Sequence, residues 1–422
     1  MSASEPRPPR AAAIIVPGLG GVGRALVRQI VAARPAHARR FGLALDIVAL
    51  ADSGATIIAS PLAGARHAVP LHDDLLLALV DAKAAGRGLV DAANDRATAI
   101  HSPSVGARHA VPSSSTDGDP AAWRHIPTPH AIVVDCTATD VTTPHLRAAL
   151  ERGWDIVLAN KLPLAGTCDD FTFLTGNGVD AGEDVVPGRR GRARWEATVG
   201  AGVPLIATLS RLVAADDAVA RIEGTFSGTL NYVASELRAG RPLSGIVREA
   251  MARGFTEPDP RTDLGGHDMA RKALILARML GWEIGLDDVD VRGLYPPEWD
   301  DPAHPDHVAD VEMFLRRVPT LDAPTAERVA AAQASGGVYR LIATIADGRA
   351  AVAPAVVPAD SPLGRLTGTD NLVAFHSRWY DPSPLVLQGR GAGVEATASG
   401  VLADVVDLAM RRGGTTAPVA KA

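Results

Sequence analysis

The chain concentrates ionisable side chains between residues 254 and 272. Asp268 and Lys272 are four residues apart, so on a helix they share one face and can form an ion pair. Glu257 and Asp263 add two carboxylates to the same segment. An exposed surface pair is the simpler interpretation of this spacing. We favour an amine that is held by a carboxylate, stabilises a developing negative charge and donates a proton.

Lysine usage supports the catalytic interpretation. The chain contains 38 arginines but only four lysines, at positions 83, 161, 272 and 421. Arginine stays charged in proteins, whereas lysine can be tuned to give up a proton. A lysine retained within a motif is therefore a candidate for proton transfer. Lys83 and Lys421 are predicted to be ordinary surface residues.

A glycine-rich turn near the N-terminus has the pattern G-x-G-x-x-G. Residues 12–16 form an apolar run that predicts a buried parallel strand, and residues 24–33 have helical spacing. Glycine lets the backbone approach a pyrophosphate, and the N-terminus of the next helix offers free N–H groups. The pattern therefore predicts a dinucleotide site. Its predicted residues are Gly18, Gly20, Gly21, Val22 and Gly23.

An acidic residue follows the second predicted strand. Residues 45–51 are mostly apolar and end at Asp52, where an acid can bind the ribose 2′-hydroxyl group of NAD. Asp52 lies 29 residues beyond Gly23, whereas the usual spacing is about 20 residues. A loop aspartate near the adenosine is the alternative, and an arginine elsewhere could accept the 2′-phosphate of NADP. The cofactor is therefore predicted as NAD or NADP.

Two later strands end in polar residues. Residues 131–137 and 154–161 read as buried strands, which end in Thr137 and in Asn160 followed by Lys161. The C-terminal ends of strands in an open parallel sheet line the ligand crevice. Thr137 and Lys161 are therefore predicted to lie beside the cofactor.

A second strand, glycine turn and helix closes the chain. Residues 384–388 are mostly apolar, glycines follow between 389 and 393, and 394–410 have helical spacing. This pattern predicts that the C-terminal helix returns to the nucleotide domain and brings glycine backbone near the cofactor. Residues 54–128 instead look like an insertion that contains a partial repeat, and residues 282–385 mix strands and helices without evident chemistry.

Composition excludes several other classes of protein. The 42 basic and 48 acidic residues give a net charge of −6, which lacks the positive surface of a nucleic-acid binder. No uncharged apolar run of about 18 residues predicts a membrane span, and the N-terminus has no secretory signal pattern. Cys136 and Cys168 are too few for a disulfide framework. We expect a cytoplasmic protein that acts on a small molecule, without nucleic-acid or membrane partners.

Together these motifs resemble homoserine dehydrogenase. The motifs, in family order, are 18–23, 159–164, 196–204, 227–232, 257–272 and 389–397. The resemblance implies reversible NAD(P)H-dependent reduction of L-aspartate 4-semialdehyde to L-homoserine, a step toward threonine and methionine. It also implies a homodimer and an α/β fold, with an N-terminal Rossmann-type nucleotide-binding domain and a mixed α/β catalytic and dimerisation domain.

The resemblance and the composition together predict the domain order. The predicted segments are a disordered leader (1–10), a dinucleotide-binding domain (11–165) that includes the insertion, a catalytic and dimerisation domain (166–385), a segment that returns to the nucleotide domain (386–412) and a tail (413–422).

The resemblance also implies roles for individual residues. Lys272 matches the proton donor with Asp268 beside it, and Lys161 matches a lysine near cofactor and substrate. Gly254 and Gly393 match backbone positions near the cofactor. The implied substrate-binding residues are Glu257, Asp263, Asp268 and Thr229. Some members hold a sodium ion, and the matching positions are Glu196, Val199, Ala201 and Val203.

Two features leave alternatives open. Phe255 stands where many family members have tyrosine, so any hydrogen bond from that hydroxyl group is missing. Cys136, at a strand end, could supply the thiolate nucleophile of an acylating semialdehyde dehydrogenase, although no histidine is evidently paired with it. A catalytically inactive homologue that binds nucleotide is the other alternative.

Overall fold

The computed structural model describes residues 9–59, 68–100, 112–115, 126–180 and 186–412. Most of the partial repeat at 64–70 and 106–112, most of the predicted leader, the predicted tail and Lys421 lie outside these ranges. Within them, no helix is long and apolar enough to cross a membrane.

The described chain forms two compact units. The first unit takes its residues from Met1–Pro163, Thr172–Ala197 and Thr397–Ala422, and the second from Leu164–Phe171 and Thr198–Ala396. Each unit has its own β-sheet.

The first unit contains a sheet with strand order β4-β3-β2-β1-β5-β6-β7. Its strands are β1 (Arg10–Pro17), β2 (Leu43–Ala51), β3 (Thr56–Ala59), β4 (Pro112–Ser115), β5 (Ile132–Asp135), β6 (Asp155–Leu158) and β7 (Ala193–Arg194). Strands β2, β1, β5, β6 and β7 are parallel to one another. Strands β3 and β4 extend the sheet in antiparallel pairs. The parallel core fits the apolar runs of the sequence, because such strands are covered on both faces.

The first helices follow the strands of this sheet. They are α1 (Gly21–Phe41), α2 (Asp73–Ala84), α3 (Leu89–Ile100), α4 (Thr143–Glu151), α5 (Leu162–Ala165) and α6 (Cys168–Thr175). Helix α1 continues through Pro35, beyond its predicted end, and stops where Gly42 adopts a left-handed conformation with φ +59°. Arg39 and Arg40 lie in its last turn, where positive charge interacts favourably with the helix dipole.

The second unit contains a mostly antiparallel sheet with strand order β13-β12-β8-β10-β11-β9. Its strands are β8 (Val219–Thr225), β9 (Asp290–Val291), β10 (Gly337–Ala346), β11 (Arg349–Pro358), β12 (Asp370–Ser377) and β13 (Leu385–Arg390). Only the β11–β9 pair is parallel among these described strands. Its helices are α7 (Leu205–Ala214), α8 (Gly228–Arg238), α9 (Leu243–Ala252), α10 (Arg261–Leu264), α11 (His267–Met279), α12 (Val311–Arg317), α13 (Asp322–Ala334) and α14 (Pro362–Arg365).

The last helix, α15 (Val394–Arg411), joins the core of the first unit. Val401, Val405 and Leu408 are fully buried in the same apolar cluster as Ile14 of β1 and Leu26 of α1. The structure thus confirms the predicted α/β fold, in which a C-terminal helix returns to the nucleotide-binding fold.

Candidate active site

The glycine turn between β1 and α1 is packed so tightly that side chains are excluded. Gly18 has φ +91°, and a Cβ atom there would lie 2.4 Å from the backbone carbonyl carbon of Cys136. A Cβ atom at Gly23 would lie 1.9 Å from the carbonyl oxygen of Gly18. Both distances are far below van der Waals contact, so these two positions require glycine.

The N-terminus of α1 fits a dinucleotide pyrophosphate. Gly20 caps the helix without a side-chain hydrogen bond, and no acidic residue lies in the first turn. No atom outside the immediate backbone would lie within 4 Å of a Cβ atom at Gly20, so there is open space beside the turn. The free N–H groups and the positive end of the helix dipole favour an anion there.

A buried aspartate holds the ends of β5 and β6. Asp135 is fully buried and accepts hydrogen bonds from the backbone N–H and hydroxyl group of Thr137, from the Thr142 hydroxyl group and from the Asn160 amide, at 2.7–3.1 Å. Burial raises the pKa of Asp135, and these donors oppose that rise. The network fixes Thr137 and the backbone that leads into Lys161 at the edge of the sheet that the sequence predicts.

The thiol of Cys136 is unsuited to nucleophilic attack. Burial, followed by the neighbouring charge of Asp135, raises its pKa well above the ordinary range. Because the thiolate is the nucleophilic form, the acylating mechanism is not favoured.

Asp52 follows β2 and is engaged by three donors. Its Oδ1 atom accepts from the backbone N–H groups of Gly54 and Ala55 at 2.8 and 2.9 Å, and its Oδ2 atom lies 2.8 Å from Nζ of Lys83. The side chain of Lys83 is only 24% exposed, so its assignment to the ordinary surface was wrong. The partner lies 31 residues further along the chain, on α2, which the sequence pattern alone does not reveal.

Within the second unit, Lys272 is held by two oxygen atoms. Its Nζ atom lies 2.7 Å from Oδ2 of Asp268 and donates to the backbone carbonyl of Phe226 at 2.8 Å. The two side chains of the ion pair are 16% and 21% exposed. The pair is therefore mostly covered, unlike the exposed surface pair considered as the simpler interpretation. Both residues lie on the first turns of α11, which begins after Gly266 in a left-handed conformation.

Asp263 connects two other predicted substrate-binding residues. Its carboxylate accepts from the backbone N–H of Glu257 at 2.9 Å and lies 3.1 Å from the hydroxyl oxygen of Thr229. Thr229 also lies 2.5 Å from the carbonyl oxygen of Phe255. Burial, together with the charges of Asp268 and Glu257, raises the pKa of Asp263 to about 6. The Thr229 hydroxyl group has one hydrogen, so it donates to one oxygen atom at a time. When Asp263 is protonated, its carboxyl group donates to the Thr229 hydroxyl oxygen, and Thr229 donates to the Phe255 carbonyl.

The phenylalanine that replaces the expected tyrosine is packed rather than hydrogen-bonded. The Phe255 ring contacts the Tyr232 ring edge-on at 5.1 Å between centroids, and the Arg253 guanidinium lies 4.5 Å from its centroid. Gly254 between them has φ +66° and open space at its Cβ position. The turn before α10 is thus positioned by aromatic and cation–π contacts.

Asn231, in the 227–232 motif, and Asn371, outside every predicted motif, belong to one hydrogen-bond network with the glycine turn after β13. The Asn231 amide accepts from the Thr225 hydroxyl group at 2.6 Å and donates to the Asp370 carbonyl at 2.7 Å. Asn371, which is 1% exposed, donates to the carbonyl of Gly391 at 3.0 Å. A Cβ atom at Gly391 would lie 1.7 Å from the Asn371 side chain, so this turn also requires glycine. Gly393 follows with φ +120°.

The predicted cation ligands fall in two places. Glu196, in the first unit, is 8% exposed, and its backbone N–H donates to Asp404 at 3.0 Å. In the second unit, the turn at 199–203 contains left-handed residues at Gly200 and Ala201, with φ +83° and +59°. The described residues contain no group of three or more His, Cys, Asp and Glu side chains that could hold a metal. A cation here would depend on backbone carbonyl groups.

Comparisons with known proteins identify relatives of this chain. The family model for homoserine dehydrogenase matches residues 204–406. A bifunctional aspartokinase/homoserine dehydrogenase of Haemophilus influenzae is 36% identical over 275 residues, which are 65% of this chain and 32% of the relative. The chain therefore spans about a third of the length of the curated relatives it matches.

Solved structures share the fold over nearly the whole chain. A Candida auris protein of unknown function is 27% identical with a TM-score of 0.70, and 95% of this chain and 99% of that chain are covered. A hyperthermophilic archaeal homoserine dehydrogenase in complex with NADPH is 22% identical with a TM-score of 0.65, covering 95% and 98%. The latter likeness supports the fold alone.

The glycine turn on a parallel sheet places the first unit in the class of Rossmann-type dinucleotide-binding folds, and the covered lysine–carboxylate pair is a candidate acid–base group in the second unit. The family match and the curated relatives narrow this class. Residues 204–406 form a homoserine dehydrogenase domain, which the chain shares with the bifunctional relatives.

Proposed function

We propose that the protein is a homoserine dehydrogenase, which reversibly reduces L-aspartate 4-semialdehyde to L-homoserine with NADPH or NADH. The observation that carries the proposal is the covered Lys272–Asp268 ion pair beside the Asp263–Thr229 contact, all in the second unit. The family match includes these four residues.

Lys272 is the proton donor in this proposal. A nicotinamide held at the glycine turn would supply the hydride for the aldehyde carbon. Negative charge then develops on the aldehyde oxygen, where an ammonium stabilises it and transfers the proton that completes the alcohol. Asp268 and the Phe226 carbonyl hold the Lys272 amine in one orientation. In the reverse direction the same amine accepts the hydroxyl proton.

The carboxylates bind the amino-acid part of the substrate. The ammonium group of the substrate needs a carboxylate, for which we propose Glu257, whose backbone N–H is fixed by Asp263. Thr229 completes this group through its contacts with Asp263 and Phe255. We assign Lys161 to the cofactor and substrate end of the first unit, together with Thr137, and the glycine turn to the pyrophosphate.

Three further properties follow from the resemblance and belong to the same proposal. The protein is a cytoplasmic homodimer, and it binds a sodium ion in a structural role. The left-handed backbone at Gly200 and Ala201 shapes the turn whose carbonyl groups we propose as cation ligands, since hard cations take oxygen ligands. Replacing sodium by choline at equal ionic strength should lower the thermal unfolding midpoint, and equal midpoints would remove the ion from the proposal.

The test of the activity is a spectrophotometric assay with L-homoserine and either NADP⁺ or NAD⁺. We expect reduction of at least one cofactor, and a Cys136→Ser variant should keep this activity because a thiol with a raised pKa takes no part. Binding of the cofactor without its reduction would instead identify an inactive nucleotide-binding homologue. Loss of activity in Cys136→Ser with cofactor binding intact would favour the acylating mechanism.

A further inference from the structure

Asp52 stands at the position that discriminates between NAD and NADP in a Rossmann-type unit. The N–H group of Gly18, in the glycine turn, donates to the carbonyl of Ala51 at 2.8 Å, so Asp52 follows directly on the residue that is tied to the turn. A free carboxylate at this strand end binds the ribose 2′-hydroxyl group of NAD and repels the 2′-phosphate of NADP. Whether this carboxylate is free or already hydrogen-bonded therefore affects the choice between NAD and NADP.

In this chain the carboxylate is occupied. Two backbone N–H groups and the Lys83 amine use three of its roughly four acceptor positions, and the side chain of Asp52 is only 13% exposed. Burial opposes the ionisation of Asp52, but the hydrogen bond from Lys83 and those from Gly54 and Ala55 outweigh it and lower the pKa. Asp52 is thus a charged, satisfied group that is matched by one ammonium.

The Lys83 amine has donors to spare. An ammonium group has three N–H donors, of which the contact with Asp52 uses one. The side chain is 24% exposed, so the amine retains access to solvent or to a ligand. Lys83 is also one of only four lysines in a chain that otherwise uses arginine for positive charge.

We propose that Lys83 is the residue that admits NADP, because it neutralises Asp52 and offers an ammonium group to the 2′-phosphate. The proposal rests on the proposed use of a nicotinamide dinucleotide, and it adds the residue that sets the specificity. The pair makes the strand end neutral toward the ribose, so NADP is accepted in spite of an acid at the position typical of NAD enzymes.

The test measures binding directly, so it is independent of turnover. The dissociation constants of NADPH and NADH are measured by fluorescence, and those of adenosine 2′,5′-bisphosphate and 5′-AMP, which differ only in the 2′-phosphate, by calorimetry. In Lys83→Met we expect the affinity for NADPH and for the bisphosphate to fall about tenfold or more, as for the loss of a charge-assisted hydrogen bond. The affinity for NADH and 5′-AMP should change less than threefold.

A second variant and a matched control separate specificity from structure. Asp52→Asn leaves the amine without its anionic partner, so binding of the bisphosphate should become at least as tight as in the wild type. Asp81 lies two residues before Lys83 on α2 and forms an exposed ion pair with Arg28 of α1. Asp81→Asn should leave all four constants unchanged. The proposal would be overturned if Lys83→Met lowered the affinity for NADPH and NADH equally, and that for the bisphosphate and 5′-AMP equally. Together with a lower unfolding midpoint, this result would show that the ion pair is only structural. If the binding constants change as expected but the homoserine assay shows no activity, the proposed activity is overturned and the role of Lys83 in NADP binding is kept.

Discussion

The Lys272 amine combines a fixed position with the ability to change protonation state. Asp268 is a charged partner and the Phe226 carbonyl is a neutral one, so the amine is oriented while keeping a third N–H donor for a ligand. A guanidinium in the same place would keep the charge and lose the proton transfer. This difference makes the acid role of Lys272 testable by a substitution that preserves charge.

The first prediction concerns Lys272→Arg. We expect kcat for homoserine oxidation to fall by about 10²–10⁴-fold, the usual contribution of a general acid or base. The dissociation constant of NADPH should stay within about twofold of the wild type, since Lys272 is not assigned to the cofactor. Arg271→Lys, the neighbouring position on α11, is the matched control and should be fully active. A wild-type kcat in Lys272→Arg would remove the residue from the acid role.

The second prediction concerns the pH dependence that arises from Asp263. Its pKa in the folded protein is about 6, above the ordinary value of 3.8, so the folded state binds more protons than the unfolded state between these values. Asp263 therefore makes the protein less stable as pH rises from about 4 to about 6. Asp263→Asn lacks this titration, although it loses acceptor capacity toward Glu257 and Thr229.

The measurement for Asp263 is the apparent free energy of unfolding in urea, determined for the variant and the wild type across this pH range. The free energy of unfolding of the variant, relative to that of the wild type, should rise by about 1–3 kcal/mol between pH 4 and pH 6, because the pKa shift is about two units. Above pH 6 the difference should level off. A difference between the two proteins that is constant with pH would show that Asp263 does not titrate in this range.

Helix α15 completes the fold of the first unit from a segment that is distant in sequence. Its apolar side chains enter the cluster formed around β1 and α1, and Asp404 accepts from the backbone N–H of Glu196 on the segment after β7. Arg194 donates to Asp407 at 2.8 Å. The first unit therefore depends on a helix that follows the whole second unit in the chain.

The third prediction tests this dependence. Leu408→Ala removes a fully buried side chain from the core and should cost about 2–5 kcal/mol in the free energy of unfolding of the first unit. Met410, which is 41% exposed on the same helix, is the control, and Met410→Ala should change stability by less than about 0.5 kcal/mol. The midpoints are measured by chemical denaturation with NADPH binding as the readout. Similar effects of the two substitutions would contradict the assignment of α15 to this core.

Local patterns predicted the elements whose causes are local. The glycine turn at 18–23 follows from glycine positions and apolar spacing, and the shared helix face of Asp268 and Lys272 follows from their separation by four residues. The end of α1 did not follow, because proline favours a helix end, whereas Pro35 is accommodated and Gly42 ends the helix. The tertiary structure overrides a local preference at this position.

Contacts between distant residues account for what the sequence did not reveal. Lys83 lies outside the predicted motifs, and its partner Asp52 is 31 residues away, so no spacing rule relates α2 to the end of β2. Asn371 lies in a stretch without evident chemistry, yet it holds the Gly391 turn across two antiparallel strands. Contacts between neighbours on one helix were predictable from spacing, and these contacts between separate elements were not.

Three separate stretches of chain form the first unit. The glycine turn lies near residue 20 and α15 near residue 400, and both pack on one apolar core. A ligand that binds only the folded unit stabilises every segment that must open with it. Cofactor bound at the glycine turn should therefore protect the C-terminal helix, although the two are separated by almost the entire sequence.

The fourth prediction is that NADPH slows amide hydrogen exchange in α1 and α15 together. At a concentration of 100 times its dissociation constant, the cofactor stabilises the folded unit by about 2.7 kcal/mol, which corresponds to about 100-fold slower exchange where exchange needs opening of that unit. Gly20→Ala is the control: a Cβ atom meets nothing within 4 Å, so the fold should be kept while the added methyl group occupies the space beside the turn. At the same NADPH concentration this variant should show much weaker protection of both helices. Protection of α1 without protection of α15 would show that the C-terminal helix opens independently of the core on which it packs.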